Sequence, residues 1–498
     1  MAEAWGKLTG QPGICMVTRG PGATNASIGI HSAMQASTPM LVLIGQVGTD
    51  MKGREAFQEI DYTSFFGSVA KWVVEIDDAD RIPEMIARAW TTALSGRPGP
   101  VVIALPEDML TSQTGSEPCR PIEIPEPAPP QASVIRAGKL LAMAQKPLII
   151  TGGSRWSGEG KSHLRKFAEA HHIPVVAAFR FQDLIDNNSD CYCGDAGVGM
   201  LPHVKGLIAD ADLIIALNIR FGEMTTDAYT LFESPNPIQQ LIHSHCSDRE
   251  IGKIYSADLP IHSGPNELVK ALSELPVGRK WTQWRDQGRQ SFLASFELPA
   301  QPGSLDMVAV TKWLRENLPD NAILTNGAGN FATWPNKYIP IHSKMRLLAP
   351  QSGAMGYGVP AAIAAKIADP SRMVVCFAGD GDFQMNCQEL GTAMQADARP
   401  IILILNNGTY GTIRMHQEMH YPARISATDL VNPDFVAIAK AYGFHGERVV
   451  NTDDFPQAFH RAIASKTGAL LELMVSGEAL TPRQTMSAIR QAAIARSK

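Results

Sequence analysis

Short apolar runs rich in β-branched residues alternate along this chain with longer stretches whose apolar positions recur every three or four residues. Met373-Val374-Val375-Cys376-Phe377-Ala378 and Pro400-Ile401-Ile402-Leu403-Ile404-Leu405 carry no polar position. Runs of this kind read as strands covered on both faces, the signature of a parallel sheet. Between them Cys387, Leu390 and Met394 fall at i, i+3 and i+7, which predicts a helix. The same alternation starts near the amino end. Met1 to Gly10 reads as the last turns of a helix closed by Gly10, followed by a strand from Ile14 to Val17 and a turn from Gly20 to Asn25. A helix to about Ala36 and a strand from Met40 to Ile44 come next. Further strands are predicted at Pro147 to Ile150, Ile173 to Ala177, Ala211 to Leu217 and Ala322 to Thr325. Strand and helix in strict alternation predict an α/β protein with three doubly wound parallel-sheet domains.

Two linkers divide the pattern. The first, at 113–131, holds Pro118, Pro121, Pro125, Pro127, Pro129 and Pro130 and reads as an extended linker. The second spans 276–303. The expected domains are therefore 1–112, 132–275 and 304–477, with a helical, polar-rich tail at 478–498 that caps the site or an interface. Ser304 is the expected cap of the helix that opens the third domain.

Composition narrows the class without naming an activity. The chain has 498 residues, 45% apolar and 19% charged, with a formal net charge of −5. That balance offers no surface for nucleic acid, and no basic run with interleaved aromatics occurs. Seven cysteines are scattered, and Cys191-Tyr192-Cys193 has the wrong spacing for a zinc knuckle or a redox pair. Idle thiols in a reducing compartment are the better reading. No apolar run reaches the length of a membrane span, and the start shows no basic-then-apolar signal. The expectation is a cytoplasmic enzyme with no nucleic-acid and no membrane partner.

The chemistry concentrates at two strand ends. Gly379-Asp380-Gly381-Asp382-Phe383 follows the first apolar run, and Asn406-Asn407 follows the second. A carboxylate and an amide leaving neighbouring strands on one sheet edge suit a divalent ion that holds a diphosphate, with glycines letting backbone approach phosphate. Gly-Asp-Gly alone is a common turn. Set between the strand 373–378 and a helix and strand that fill residues 382 to 405, and followed by Asn-Asn, it resembles the thiamine-diphosphate signature.

The resemblance widens over nearly the whole chain. Thr18-Arg19-Gly20-Pro21-Gly22-Ala23-Thr24-Asn25, Gly45-Gln46-Val47, Ala56-Phe57-Gln58-Glu59, Lys71-Trp72 and Ser95-Gly96-Arg97-Pro98-Gly99-Pro100-Val101 resemble the pyrimidine-binding domain of the acetohydroxyacid (acetolactate) synthases. The resemblance implies that Phe57, Gln58 and Lys71 lie near the active site, although Lys71 read alone is a solvated lysine. It implies Mg²⁺ on Asp380, Asn407 and the carbonyl of Thr409. It places the cofactor on Gly329, Asn330, Gly353, Gly379, Gly381, Asp382 and Tyr410, with Met355 wedged beneath it to force its bend. Gln58, Met355 and His416 are the implied catalytic positions. His416 and Thr412 stand where the synthases usually have Trp and Met, which leaves the acceptor substrate open.

The central domain of the synthases carries FAD, and Gly152, Gly153, Arg220 and Phe221 fall on its matching positions. Gly222-Glu223 replaces the usual two aspartates, and Gly194-Asp195-Ala196-Gly197 replaces Gly-Met-His-Gly. FAD is thus left open beside thiamine diphosphate and Mg²⁺. The implied reaction is decarboxylation of a small-molecule 2-keto acid, with pyruvate the expected donor, and ligation to a second keto acid or aldehyde. Active sites shared between subunits imply a homodimer or homotetramer. Two other readings stay open: a 2-keto acid decarboxylase or lyase such as benzoylformate decarboxylase, and a non-catalytic cofactor-binding protein. The last is suggested by the catalytic glutamate, which in the family precedes the Met-Ala-Glu that opens this sequence. The expectation is a start codon placed too late or a truncated chain, since Glu3 belongs later in the same helix.

Overall fold

Three parallel sheets organise the chain. Residues 1–276 and 278–496 are described by a computed structural model. Residue 277 of the second linker and residues 497 and 498 of the tail lie outside the described residues. The chain divides into two compact units. The first comprises Met1–Ala178, Ala196–Gly199 and Lys205–Trp281; the second comprises Phe179–Asp195, Met200–Val204 and the chain from Thr282 on.

In the first unit, β1 (Gly13–Val17), β2 (Met40–Gln46), β3 (Trp72–Glu75) and β4 (Pro100–Pro106) pair in parallel in the order β1-β2-β4-β3. Alternate residues feed opposite faces, as strand geometry requires. Met40, Val42 and Ile44 join the core with Ala23, Ile30 and Phe66, while Leu41, Val101 and Ile103 join Met85, Ala89 and Ala93 on the other side. Each large apolar side chain buried this way contributes roughly 1.5–3 kcal/mol. The expected turn at Gly20 is a helix start instead: Gly20 has φ 54, Pro21 occupies the first turn, and the helix runs Pro21–Ala36. Proline fits there because the first-turn N–H groups have no helical partner. The helix Ala2–Thr9 ends on Gly10 at φ 75, as expected.

The first unit also holds a second sheet of β5 (Pro147–Thr151), β6 (Val175–Ala178), β8 (Leu213–Leu217), β9 (Gln240–His245) and β10 (Leu259–His262), while β7 (Tyr192–Ala196) falls almost wholly in the second unit. Within the first unit they follow the order β10-β9-β8-β5-β6, so strand order reverses between β5 and β8. The first linker is extended but anchored. Glu126 accepts from the backbone N–H of Asn266 at 2.7 Å and from its side chain at 2.7 Å, at the start of the helix Pro265–Ser273.

The second unit holds β11 (Ile323–Asn326), β12 (Arg346–Leu348), β13 (Val374–Gly379), β14 (Ile401–Asn406), β15 (His445–Val449) and β16 (Ala469–Met474), all parallel, in the order β12-β11-β13-β14-β16-β15. Every residue of β13 and of β14 is buried, which explains their unbroken apolar sequence. Two expectations change here. The second linker contains a helix, Thr282–Ala294, whose Trp284, Gly288 and Phe292 are buried at four-residue spacing. The helix Met307–Asn317 is capped by Asp306, which accepts from the Val308 N–H at 2.8 Å; Ser304 lies outside it. No described helix is long and apolar enough to cross a membrane.

Candidate functional site

The order of the C-terminal sheet reverses between β11 and β13, and ligands of open α/β sheets sit at the carboxyl ends of strands at such a point. Register sets the geometry. Gly379 pairs with Leu405, so Asp380 leaves β13 level with Asn406 at the end of β14. A cleft of about 280 Å³ opens there, and Gly329, Asn330, Gly353, Met355, Gly379, Asp380, Gly381, Asp382, Asn407, Thr409 and Tyr410 all line it. Every residue expected to hold the metal or the thiamine cofactor therefore lines one cleft.

Asp380 is 3% exposed and held from three directions. Its Oδ1 accepts from the Gly381 N–H at 2.9 Å, and its Oδ2 from the Gly408 N–H and from Asn432 Nδ2, both at 2.8 Å. Burial pushes its pKa up against the pull of these donors. Asn432 also donates to Asn406 Oδ1 at 2.9 Å, and Asn406 donates to Glu472 at 2.7 Å, so the carboxylate is fixed through a buried chain. Asn407 Oδ1 accepts from the Thr409 N–H at 3.1 Å, which bends the backbone tightly after β14. Among the described residues the buried hydroxyl of Thr409 has no hydrogen-bond partner.

Asp382 behaves differently from Asp380. Its Oδ1 accepts from the backbone N–H of Ala328 at 3.1 Å and of Gly356 at 2.8 Å. It thereby clamps the glycine turn after β11 to the loop that carries Met355. Burial raises its pKa to about 6, opposed by those two N–H groups and by Arg180. Asn330 is likewise a tie: its N–H bonds Thr412 Oγ1 at 3.0 Å and its amide donates to the Leu480 carbonyl at 3.1 Å. Phe331 was not legible as a site residue, yet its ring packs where a Cβ on Gly379 (2.8 Å) or on Gly329 (2.8 Å) would stand. A Cβ on Gly381 would come within 2.6 Å of the Tyr410 ring. The three glycines are thus required by close aromatic packing along the cleft floor.

The remaining candidates do not line this cleft. Gln58 belongs to the first unit, at φ 66, with its backbone against Gly20. Phe57 beside it is 77% exposed. Lys71 is no solvated lysine. Its Nζ donates to the carbonyls of Thr92 and Ser95, closing the helix Ile82–Leu94, and burial pushes the ammonium down to about 8. His416 is exposed on the helix Gly411–His420 and does not line the cleft. Glu3, 4% exposed, accepts from Thr38 at 3.1 Å and is a packing residue. The tail forms a helix, Met486–Arg496, and Leu480 reaches the cleft wall.

Residues matching a flavin site are engaged within the protein. A Cβ on Gly153 would lie 2.1 Å from the Asn218 carbonyl, and Asn218 donates to the Ser154 carbonyl at 2.7 Å. Arg220 donates to the Gln35 carbonyl at 2.9 Å, and Phe221 sits among Phe232, His243 and Tyr255. Asp195, in the altered Gly-Asp-Ala-Gly turn, pairs with Lys337 at 3.0 Å. No group of three or more His, Cys, Asp or Glu able to hold a metal occurs among the described residues. A metal in the cleft would therefore need a mixed set of carboxylate, amide and carbonyl oxygens.

Comparison with known proteins gives three family matches in chain order. Residues 1–65 match the thiamine pyrophosphate enzyme N-terminal TPP binding domain, 134–272 its central domain and 327–473 its C-terminal TPP binding domain. The chain is 30% identical over 477 residues to acetolactate synthase isozyme 2 large subunit of Escherichia coli (strain K12), covering 95% of this chain and 86% of the relative. It is 32% identical over 497 residues to the acetolactate synthase large subunit of Parasynechococcus marenigrum (strain WH8102), covering 95% and 78%. With the acetolactate synthase of Mycobacterium leprae (strain TN) it shares 32% over 498 residues, covering 96% and 79%.

Proposed function

The chain belongs to the thiamine pyrophosphate enzymes, within the acetolactate synthase family, and from that premise we propose that its C-terminal cleft seats the diphosphate and a Mg²⁺ ion for decarboxylation and ligation of pyruvate. The enzyme decarboxylates a 2-keto acid with carboligation. The observation that carries the site is the convergence of Asp380, Asn407 and Thr409 at adjoining strand ends in one cleft. They fit the group. The partnerless buried hydroxyl of Thr409, beside the hard oxygens of Asp380 and Asn407, suits a bound phosphate and its metal ion.

When bound, thiamine diphosphate supplies an electron sink for the pair released as CO₂ leaves. The chain's own groups do the positioning. Asp380, Asn407 Oδ1 and the Thr409 carbonyl are hard oxygen donors suited to Mg²⁺, which needs few protein ligands beside phosphate. Asn432 and two backbone N–H groups fix the Asp380 carboxylate, so little reorganisation is needed on binding. Met355, Phe331, Trp334 and Leu480 give the cleft apolar walls that exclude water. FAD is left out of this reading, since Gly153, Arg220 and Phe221 are seen only in contacts within the protein. A cytoplasmic homodimer or homotetramer is the setting we propose, on the resemblance alone.

Product analysis tests the reading. Incubated with pyruvate, thiamine diphosphate and Mg²⁺, the enzyme is expected to release acetolactate. Free acetaldehyde as the sole product would overturn the ligation step.

A further inference from the structure

The helix Gly411–His420 is docked on one side only. Met415 and Met419 pack on Leu480, Met486 and Ile489, and the fully buried Glu418 pairs with Arg490. The other side turns Ile413, His416 and His420 to solvent. The two imidazoles are one helical turn apart, with ring centroids 6.1 Å apart and planes inclined by 1°. Among the described residues neither ring has a hydrogen-bond or ion-pair partner.

We propose that His416 and His420 form a surface binding site for a divalent transition-metal ion, Cu²⁺ foremost, then Ni²⁺ and Zn²⁺. Residues at i and i+4 bring their Cβ atoms to roughly 5–6 Å. Two neutral imidazoles on one helix face can then converge on a shared ion at about 2.0–2.1 Å each. Exposed side chains change rotamer freely, so the parallel rings need only small rotations to meet it. Water completes the shell. The ligand type separates this site from the cleft: imidazole nitrogen selects Cu²⁺, Ni²⁺ and Zn²⁺, whereas carboxylate and carbonyl oxygens suit Mg²⁺. A bound ion clips the turn that follows Thr412 and Ile413, both of which line the cleft, and so stiffens that wall.

The test is calorimetric titration of Cu²⁺ into the untagged protein with Mg²⁺ in excess, beside His416→Ala and His420→Ala. One Cu²⁺ should bind in the micromolar range, and each variant should weaken that site by about tenfold or more, since chelation is lost with either ring. Copper electron paramagnetic resonance should show two nitrogen ligands in the parent and fewer in each variant. Both rings are exposed, so melting temperatures should be unchanged, and His416→Gln with His420→Gln gives a second pair. Equal Cu²⁺ affinity in the parent and in all four variants would overturn the proposal.

Discussion

Two sheets of this protein reverse their strand order at one point, and they use that point in opposite ways. In the C-terminal sheet the reversal lies between β11 and β13, and the strand ends part around a cleft of about 280 Å³. In the central sheet it lies between β5 and β8, and the strand ends close on each other. Gly153 abuts the Asn218 carbonyl, Asn218 donates to Ser154, and the Cys246 N–H donates to Asn218 Oδ1 at 3.3 Å. Glycine after a strand that flanks the reversal serves both arrangements. At Gly381 it leaves room for an aromatic wall, and at Gly153 it lets one backbone rest on another. Topology marks where a ligand could sit, and the side chains decide whether the place is open.

The largest effect should come from the open site. Asp380→Ala removes the buried carboxylate at its centre and should lower kcat/KM with pyruvate on the order of 10³-fold, a loss of several kcal/mol. The melting temperature should change far less.

A charge cost should mark the same site in the cofactor- and metal-free protein. The folded-state pKa of Asp382, about 6, lies above its unfolded value of 3.8, so between those values the folded chain holds the extra proton. Stability from this group is thus full below about pH 4 and is lost as pH rises to about 6, by up to ~3 kcal/mol. Denaturant unfolding should show the parent losing stability relative to Asp382→Asn across that window and running parallel to it above. A constant difference at all pH values would remove the claim.

Asn432→Ala should weaken Mg²⁺-dependent cofactor binding by about 10–100-fold, since it frees a carboxylate that is now oriented. The two glycines give the sharpest contrast. Gly381→Ala should weaken cofactor binding by about tenfold with little loss of stability, because its Cβ meets side chains, the Tyr410 ring and Leu430, rather than backbone. Gly153→Ala should cost about 1–3 kcal/mol of stability through backbone overlap at φ 72 and leave cofactor affinity unchanged. A cofactor-binding defect in Gly153→Ala would erase the distinction between the two sheets.

The sheets themselves were legible because buried parallel strands such as Val374–Gly379 and Ile401–Asn406 are unbroken apolar runs. Asp380 and Asn407 were legible because they follow such runs directly. Asn432 was not: it lies in an irregular segment 25 residues beyond Asn407, with no periodicity to mark it. Asp382 was expected at the cofactor and Asp380 at the metal; both line the cleft from the helical turn Asp380–Gln384, but what their side chains hold could not be read from the sequence. Asp380 is held by Gly381, Gly408 and Asn432, and Asp382 clamps the loops at Ala328 and Gly356. The helix Thr282–Ala294 was hidden by its proline-rich flanks, although Trp284, Gly288 and Phe292 carry a helical spacing. Lys71 shows the limit of reading a charge as solvated, because two carbonyls at a helix end were invisible in the sequence.

The most direct measurement is a crystal structure grown with thiamine diphosphate and Mn²⁺ in place of Mg²⁺, read by the anomalous signal of the metal. We expect one peak ligated by Asp380, Asn407 Oδ1 and the Thr409 carbonyl, with the diphosphate beside Gly329 and Gly379. A diphosphate at the turn holding Gly152 and Gly153, or a metal away from Asp380, would contradict the assignment of the open site.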